Sequence, residues 1–377
     1  MTSDEPGPGV TTIGIDAREL LGETTGVGRY LGELLRRWVA RPDASSRQFL
    51  LYTPEPLGFM RTVPEGAPVR EVVVGSGRGT WWEQTHLRRA VRANPPDVFF
   101  ASAYTAPLAL GVPLAVAIHD VSFAAQPQWF RPREGARRRL LTRQAARAAE
   151  VIFTLSDFSR HEIVERLGAP ADRIRVIYPS VTPRPAGRRS VGETVRDPLV
   201  LFVGSVFNRR RLPSTIAAFA TATADRPQAR LVIAGADRSY PPLDLAGLAT
   251  ESGVSARVEI RNYVTEAELD ALYARASVFV FLSEYEGFGL TPLEALSADV
   301  PIVVLDTPVA REVYGDAAWY VPADADVANA AEAIRTLLDD DGSRARLLAH
   351  APGVLARYSW DTAADETLAG IEGVVRA

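Results

Sequence analysis

Short, β-branched apolar runs alternate along most of the chain with longer stretches whose apolar positions recur every three to four residues. The short runs at 13–16, 49–52, 69–74, 98–100, 115–118 and 151–155 predict strands, with 175–178 as a last one. Amphipathic helices are predicted between several of them, at 27–40 and 80–93 for example. Strands separated by helices are the rhythm of βαβ units and of a parallel, doubly wound sheet. The pattern then stops. Residues 182–198 (TPRPAGRRSVGETVRDP) carry three prolines, two glycines and no apolar period, which is a linker composition. A second series starts at once, with strands expected at Leu199–Val203, Arg230–Ala234, Val258–Arg261, 278–282 and Ile302–Leu305. Helices are expected at 215–223, 266–276, 291–298 and 327–339, and a final one at Trp360–Val375, opened by Ser359 or Asp361. The domain division is therefore 1–181, a linker at 182–198, a second domain at 199–357 and a C-terminal helix within 358–377. Two such α/β halves predict a cleft at the carboxyl ends of both sheets, where open sheets of this kind bind ligands.

A length of 377 residues accommodates these two domains. With 47% hydrophobic and 23% charged residues, the composition is that of a folded, water-soluble protein. Forty-two basic against 46 acidic residues leave a net charge of -4, which argues against a globally basic nucleic-acid binder. The chain has no cysteine, which excludes disulfides, thiolate metal sites, iron–sulfur ligation and cysteine nucleophiles. It also has no lysine, so Schiff-base and pyridoxal-phosphate chemistry lack their amine. The opening MTSDEPGPGV is acidic and unlike a signal peptide. The longest apolar stretches, around 107–118 (interrupted by Pro113), 198–207 and 276–282, fall short of the ~20 residues that cross a bilayer. A cytoplasmic location is the expectation.

Candidate chemistry concentrates at 283–296, SEYEGFGLTPLEAL. A strand ends there, the Gly287–Gly289 turn follows, and Thr291-Pro292-Leu293-Glu294 fits a capping box with proline at the first helical position. Backbone N–H groups at a helix start suit an anionic phosphate. Glu286 and Glu294, with seven residues between them, are placed to flank such a ligand and accept hydrogen bonds from its hydroxyls. The competing reading is that Glu294 only caps its own helix while Glu286 is solvated.

Glu286-GFGLTPL-Glu294 resembles the E-x7-E element of the retaining, nucleotide-sugar-dependent glycosyltransferases of family 4, which have the two-domain GT-B fold. Gly14-IDAR, Thr25-GVGRY, Trp82-Glu83-Gln84, His119-Asp120-Val121-Ser122-Phe123, Thr154-LSDFSR, Val203-GSVFNRRRLP, Leu231-VIAG and Tyr358-SW follow the same family's order. The resemblance implies that Arg209 and Arg210 neutralise the departing diphosphate, with Gly204, Ser205 and the amides of Gly287, Phe288, Gly289 and Leu290 beside it. The family has an Arg-Lys pair where this chain has Arg209 and Arg210, and asparagine where it has Arg211. Arginine keeps the charge and adds a bidentate fork. The resemblance further implies that Glu286 and His119 hold donor-sugar hydroxyls, that Glu294 holds the ribose, and that the base rests near Asn262 and Tyr263. Asp120, Gly26, Gly28 and Arg29 are secondary candidates: the glycine loop borders the diphosphate and the acceptor in the family, or is simply a tight turn here. The final helix has a family counterpart that crosses back to the first domain.

No histidine pair has metal-ligand spacing and no D-x-D triplet ends a strand, so neither a metal nor another cofactor is expected. Seven arginines between 131 and 147, with Glu134 as the one acid, make either a solvated helix face or a basic patch. Such a patch suits an anionic acceptor or peripheral contact with the inner membrane face. The expected partners are a nucleotide diphosphate sugar and an acceptor that is a glycan, a lipid-linked sugar or a small molecule. The alternatives are a GT-B sugar-nucleotide epimerase, a coupling enzyme, or a catalytically silent nucleotide-sugar binder.

Overall fold

The apolar runs become thirteen strands in two all-parallel sheets among the described residues, which are 9–22, 26–77, 79–184, 198–324 and 326–375 of a computed structural model. Thr25, the first eight residues and most of the 182–198 linker lie outside them.

The chain divides into two units. The first comprises residues up to Pro127, Pro132–Pro179 and those from Ser359 on. Its strands are β1 (Thr11–Asp16), β2 (Arg47–Thr53), β3 (Val69–Val73), β4 (Val98–Ala101), β5 (Leu114–Ala117), β6 (Val151–Thr154) and β7 (Ile174–Val176). They lie in the order β3-β2-β1-β4-β5-β6-β7. β4, β5 and β6 are buried at every position, which is why they read as continuous apolar runs rather than alternating ones. The Trp360–Val375 helix packs in this unit, with Trp360, Ala363, Ala364, Leu368 and Ile371 in the same core as Tyr30 and Trp38 of the Gly26–Ala40 helix. Trp38 Nε1 donates to the carbonyl of Ala364 at 2.8 Å, and Arg37 pairs with Asp361 at 2.7 Å. Gly370 makes the close approach possible, because a Cβ there would lie 2.6 Å from the Phe153 ring.

The second unit comprises Gln128–Arg131 and Ser180–Tyr358. Its strands are β8 (Leu199–Val203), β9 (Arg230–Ala234), β10 (Val258–Arg261), β11 (Val278–Phe281), β12 (Ile302–Leu305) and β13 (Ala318–Val321), in the order β10-β9-β8-β11-β12-β13. β13 was not expected from the sequence, because Trp319 and Tyr320 are only half-buried and its run is four residues long. Both sheets reverse their winding once, between β1 and β4 and between β8 and β11. In doubly wound sheets the loops leaving the carboxyl ends at such reversals are where ligands bind.

Two local expectations need correction. The predicted 80–93 helix widens into a π turn over Glu83–Leu87, which swings Glu83 inward onto Arg18. The Leu290–Ser297 helix starts at Leu290 rather than Thr291, with Gly289 at its N-cap and no side-chain capping bond, so the capping box does not form. Glycine at φ +94° makes the turn without one, and Pro292, now third in the helix, still sits where an N–H has no helical partner.

Candidate active site

In the second unit, the reversal between β8 and β11 gathers the motif residues. Gly204 and Ser205 leave β8, and a tight turn over Asn208–Arg210 follows. Residues 283–289 leave β11 and enter the Leu290–Ser297 helix. Glu286 Oε1 accepts from Arg210 Nε at 2.9 Å and from Ser283 Oγ at 2.9 Å, while Arg209 Nε lies 3.8 Å away. The Arg209 and Arg210 side chains are only 10% and 12% exposed, so this charge cluster has little water to screen it. Burial opposes ionisation of Glu286, but the two arginines and their hydrogen bonds outweigh it and hold the carboxyl below its ordinary range. Arg210 Nη1 also donates to the Ser205 carbonyl at 2.8 Å, and its guanidinium stands over the Phe281 and Phe207 rings. Gly204, at φ +138°, is required because a Cβ would fall on the Arg210 guanidinium.

Arg209 Nε is buried and makes no hydrogen bond. A buried cationic donor without a hydrogen bond, in the same group of loops as the start of the Leu290–Ser297 helix, favours an anionic oxygen. Arg211 leaves this group. It takes the left-handed conformation (φ +45°) and pairs with Glu284 and Asp326, so the three-arginine run splits two and one.

The Gly287–Gly289 turn is held from behind by residues the sequence reading did not single out. Tyr314 Oη donates to the Gly289 carbonyl at 3.0 Å and occupies the space a Gly289 Cβ would need. Phe288 is buried edge-on against Tyr358, with centroids 5.1 Å apart, and Tyr358 Oη donates to the Val313 carbonyl. Glu294, 2% exposed, accepts from Tyr273 Oη at 3.1 Å. Asn262 and Tyr263 follow β10, and Tyr263 is 60% exposed.

In the first unit, His119 follows β5 and is buried. Its Nε2 lies 2.9 Å from the Ser102 carbonyl. A carbonyl only accepts, so Nε2 carries the proton and Nδ1 presents a lone pair. Tyr30 and Tyr104 stand edge-on to the ring at 4.9 and 5.4 Å. Burial lowers the His119 pKa and keeps the ring neutral, against smaller opposing effects of Ser102 and Asp120. A depressed histidine pKa contributes stability above the unfolded value, and that stability is lost as pH falls through the folded one. Melting temperature measured down a pH series should therefore show an acid-labile component below pH ~6.5 that His119→Asn removes. Superimposable profiles would contradict a buried neutral ring.

Asp120 is absorbed locally: Oδ1 accepts from the Ser122 amide and hydroxyl at 2.8 and 2.7 Å, and Oδ2 from Tyr104 Oη at 3.2 Å. Gly26, Gly28 and Arg29 lie in the first turn of the Gly26–Ala40 helix, not in the loop or tight turn expected of them. The reversal point of this sheet holds a further buried cluster. Arg18 binds Asp16 and, at 2.6 Å, Glu83, which also accepts from Thr105. Two motifs quoted for their order in the sequence, Gly14-IDAR and Trp82-Glu83-Gln84, are thus one ion network.

A model of glycosyl transferases group 1 matches residues 183–352, and a model of glycosyltransferase family 4 matches residues 24–184. The chain belongs to glycosyltransferase family 4. This family 4 chain is 31% identical over 236 residues to an uncharacterized glycosyltransferase of Methanocaldococcus jannaschii, a stretch covering 58% of each chain. It is 29% identical over 260 residues to the O-antigen chain mannosyltransferase B of Escherichia coli, covering 66% of this chain and 68% of that one. Among solved structures, WaaG, a glycosyltransferase involved in lipopolysaccharide biosynthesis, superposes with a TM-score of 0.75 at 17% identity, covering 96% of this chain and all (100%) of that one. HepE of Anabaena, solved with UDP and glucose, gives 0.74 at 17% identity, covering 97% and 100%. The fold is GT-B.

Proposed function

We propose that this family 4 chain is a retaining hexosyltransferase that moves a sugar from a nucleotide diphosphate donor to an acceptor hydroxyl. The observation that carries the reading is the convergence of Arg209 and Arg210 on Glu286, beside a glycine turn that opens a helix at the sheet's reversal point. In the reaction, the bond from the anomeric carbon to the leaving phosphate oxygen breaks and one to the acceptor oxygen forms on the same face. The acceptor proton passes to the departing phosphate, so no separate base is assigned. Charge accumulates on the diphosphate, and buried, pre-oriented donors aimed at such charge are the largest single source of rate in comparable sites. Arg209, Arg210 and the 287–290 amides take that role, Glu286 and the Nδ1 lone pair of His119 accept from sugar hydroxyls, and Glu294 accepts from the ribose. Asn262 and the exposed Tyr263 are offered to the base.

A growing glycan or a lipid-linked sugar is the acceptor class we favour, in keeping with the O-antigen and lipopolysaccharide roles in the names of its relatives. The basic helix Pro132–Ala148 supports it: Leu140, 59% exposed, lies among the exposed Arg133, Arg137, Arg143 and Arg147 at helical spacing. This face fits peripheral attachment to an anionic cytoplasmic leaflet. No helix among the described residues is long and apolar enough to cross a membrane.

Thermal shift against UDP, GDP, dTDP and ADP tests donor binding. A diphosphate at ~100 times its Kd should add about 2.7 kcal/mol of stability. Incubating the matching nucleotide sugars with purified protein then separates an enzyme, which releases nucleotide diphosphate, from a silent binder.

Two outcomes follow from the assignment of charges. Transfer should be unchanged by EDTA, since the arginines take the place of a cation; lost activity restored by magnesium or manganese would refute this. Glu286→Ala should lower turnover while nucleotide diphosphate affinity persists, whereas Glu294→Ala should weaken the bare nucleotide by about 1–3 kcal/mol. Equal effects of the two on diphosphate affinity would remove the division between sugar and ribose.

A further inference from the structure

Arg184 is the third residue of the 182–198 linker stretch and is buried within the second unit. Its backbone N–H donates to Ser297 Oγ at 3.1 Å, and that hydroxyl donates to the Glu294 carbonyl at 2.7 Å. Its Nη1 bonds Glu266 at 2.6 Å and Asp270 at 2.8 Å. These two carboxylates are 70% and 37% exposed, and pairs of that kind contribute little to stability. They suffice to fasten a surface segment. They do not explain why Nη2 turns inward to within 3.5 Å of Glu294 Oε1, a carboxylate whose side chain is 2% exposed. The other oxygen, Oε2, accepts from Tyr273 Oη at 3.1 Å, and the Arg184 guanidinium stands over the Tyr273 ring at 5.7 Å. Both oxygens of Glu294 are thus fixed, one by a cation and one by a hydroxyl, and a carboxylate oxygen can accept more than one hydrogen bond. A buried carboxylate deprived of such partners is costly and seeks another rotamer. Burial opposes the charge of Arg184, and Glu294, Glu266 and Asp270 together override it, so the guanidinium stays cationic.

We propose that Arg184 is a positioning residue: together with Tyr273 it holds Glu294 in the orientation that receives the donor's ribose hydroxyls, so that selection of a ribonucleotide depends on a residue of the linker stretch. This rests on the ribose role proposed above for Glu294. A merely structural Arg184 would lower stability, and with it affinity for all nucleotides alike. A positioning Arg184 changes the ratio between nucleotides that have the hydroxyls and nucleotides that lack them.

The test is calorimetric titration of the full chain with UDP and GDP and with their 2′,3′-dideoxy forms. The wild type should prefer the ribose forms of the diphosphate it binds by tenfold or more, on the order of one charged hydrogen bond. Glu294→Ala should abolish that preference. Arg184→Met should reduce it by about fivefold or more, and Tyr273→Phe, which removes only the hydroxyl, by about threefold. The double substitution Glu266→Gln/Asp270→Asn, which cuts the exposed pairs alone, should leave it intact. If Arg184→Met does not fold, Tyr273→Phe and Arg184→Lys carry the comparison, with lysine retaining part of the preference. No preference in the wild type, or one that survives Glu294→Ala, overturns the ribose assignment. A preference lost with Glu294→Ala but retained in the Arg184 and Tyr273 variants overturns this inference alone.

Discussion

Arg210→Met should lower turnover by about 10²–10³, the loss that follows removal of one pre-oriented donor to developing negative charge. Methionine keeps the length and apolar stem of the side chain, so contact with Phe281 survives while the charge does not. The substitution also deprives Glu286 of its 2.9 Å partner and leaves Arg209, at 3.8 Å, as its remaining ion contact among the described residues. Breaking a buried pair on one side is destabilising by ~3–5 kcal/mol, so the melting temperature should drop as well. The two effects separate in the double variant Arg210→Met/Glu286→Gln, which removes the stranded carboxylate although Arg209 loses its 3.8 Å partner. Part of the stability should return while affinity for the nucleotide diphosphate, which the Glu286 change alone leaves in place, stays low. If that affinity returned with stability, Arg210 would act only by holding the fold together.

Truncation before Ser359 should unfold the first unit under conditions in which the full chain is stable. Trp360, Leu368 and Ile371 are each at most 5% exposed, and three such side chains contribute on the order of 5–9 kcal/mol by burial. That matches a typical domain's whole stability of about 5–15 kcal/mol. The loss also uncovers Tyr30 and Trp38; the Tyr30 ring is tilted against Trp360 at 6.3 Å and stands edge-on to His119. Calorimetric melting should show the transition of the first unit displaced or absent and that of the second unit little changed. Identical melting of full-length and truncated protein would mean that the helix is dispensable.

The sheets were legible because most of their strands are buried on both faces. Such strands appear as unbroken apolar runs, and β8, β9 and β12 have the bounds the pattern predicts, whereas β10 has its predicted bounds but is an edge strand with no buried position. β13 was not, since its half-buried aromatic pair resembles a surface turn. The site was legible where chemistry clusters in sequence, as at 204–211 and 283–294. It was not legible where partners come from afar. Arg184 lies 110 positions from Glu294, and Tyr273 and Tyr314 have nothing beside them in the sequence to mark their role. The failed capping box has the same origin. Thr291-Pro292-Leu293-Glu294 satisfies the local rule, but Glu294 gains more from a buried cation and a phenol than from capping its own helix. Likewise, three consecutive arginines look equivalent until the left-handed backbone at Arg211 sends the third toward Glu284 and Asp326.

The most direct test of the proposed donor site is calorimetric titration of the wild type and of Arg209→Met/Arg210→Met with the nucleotide diphosphate that the thermal-shift panel selects. One molecule should bind per wild-type chain, and the double variant, still folded by circular dichroism, should bind at least about 100-fold more weakly. Equal affinity in the two proteins, or no diphosphate binding by the wild type, would contradict the assignment of Arg209, Arg210 and Glu286 to the donor.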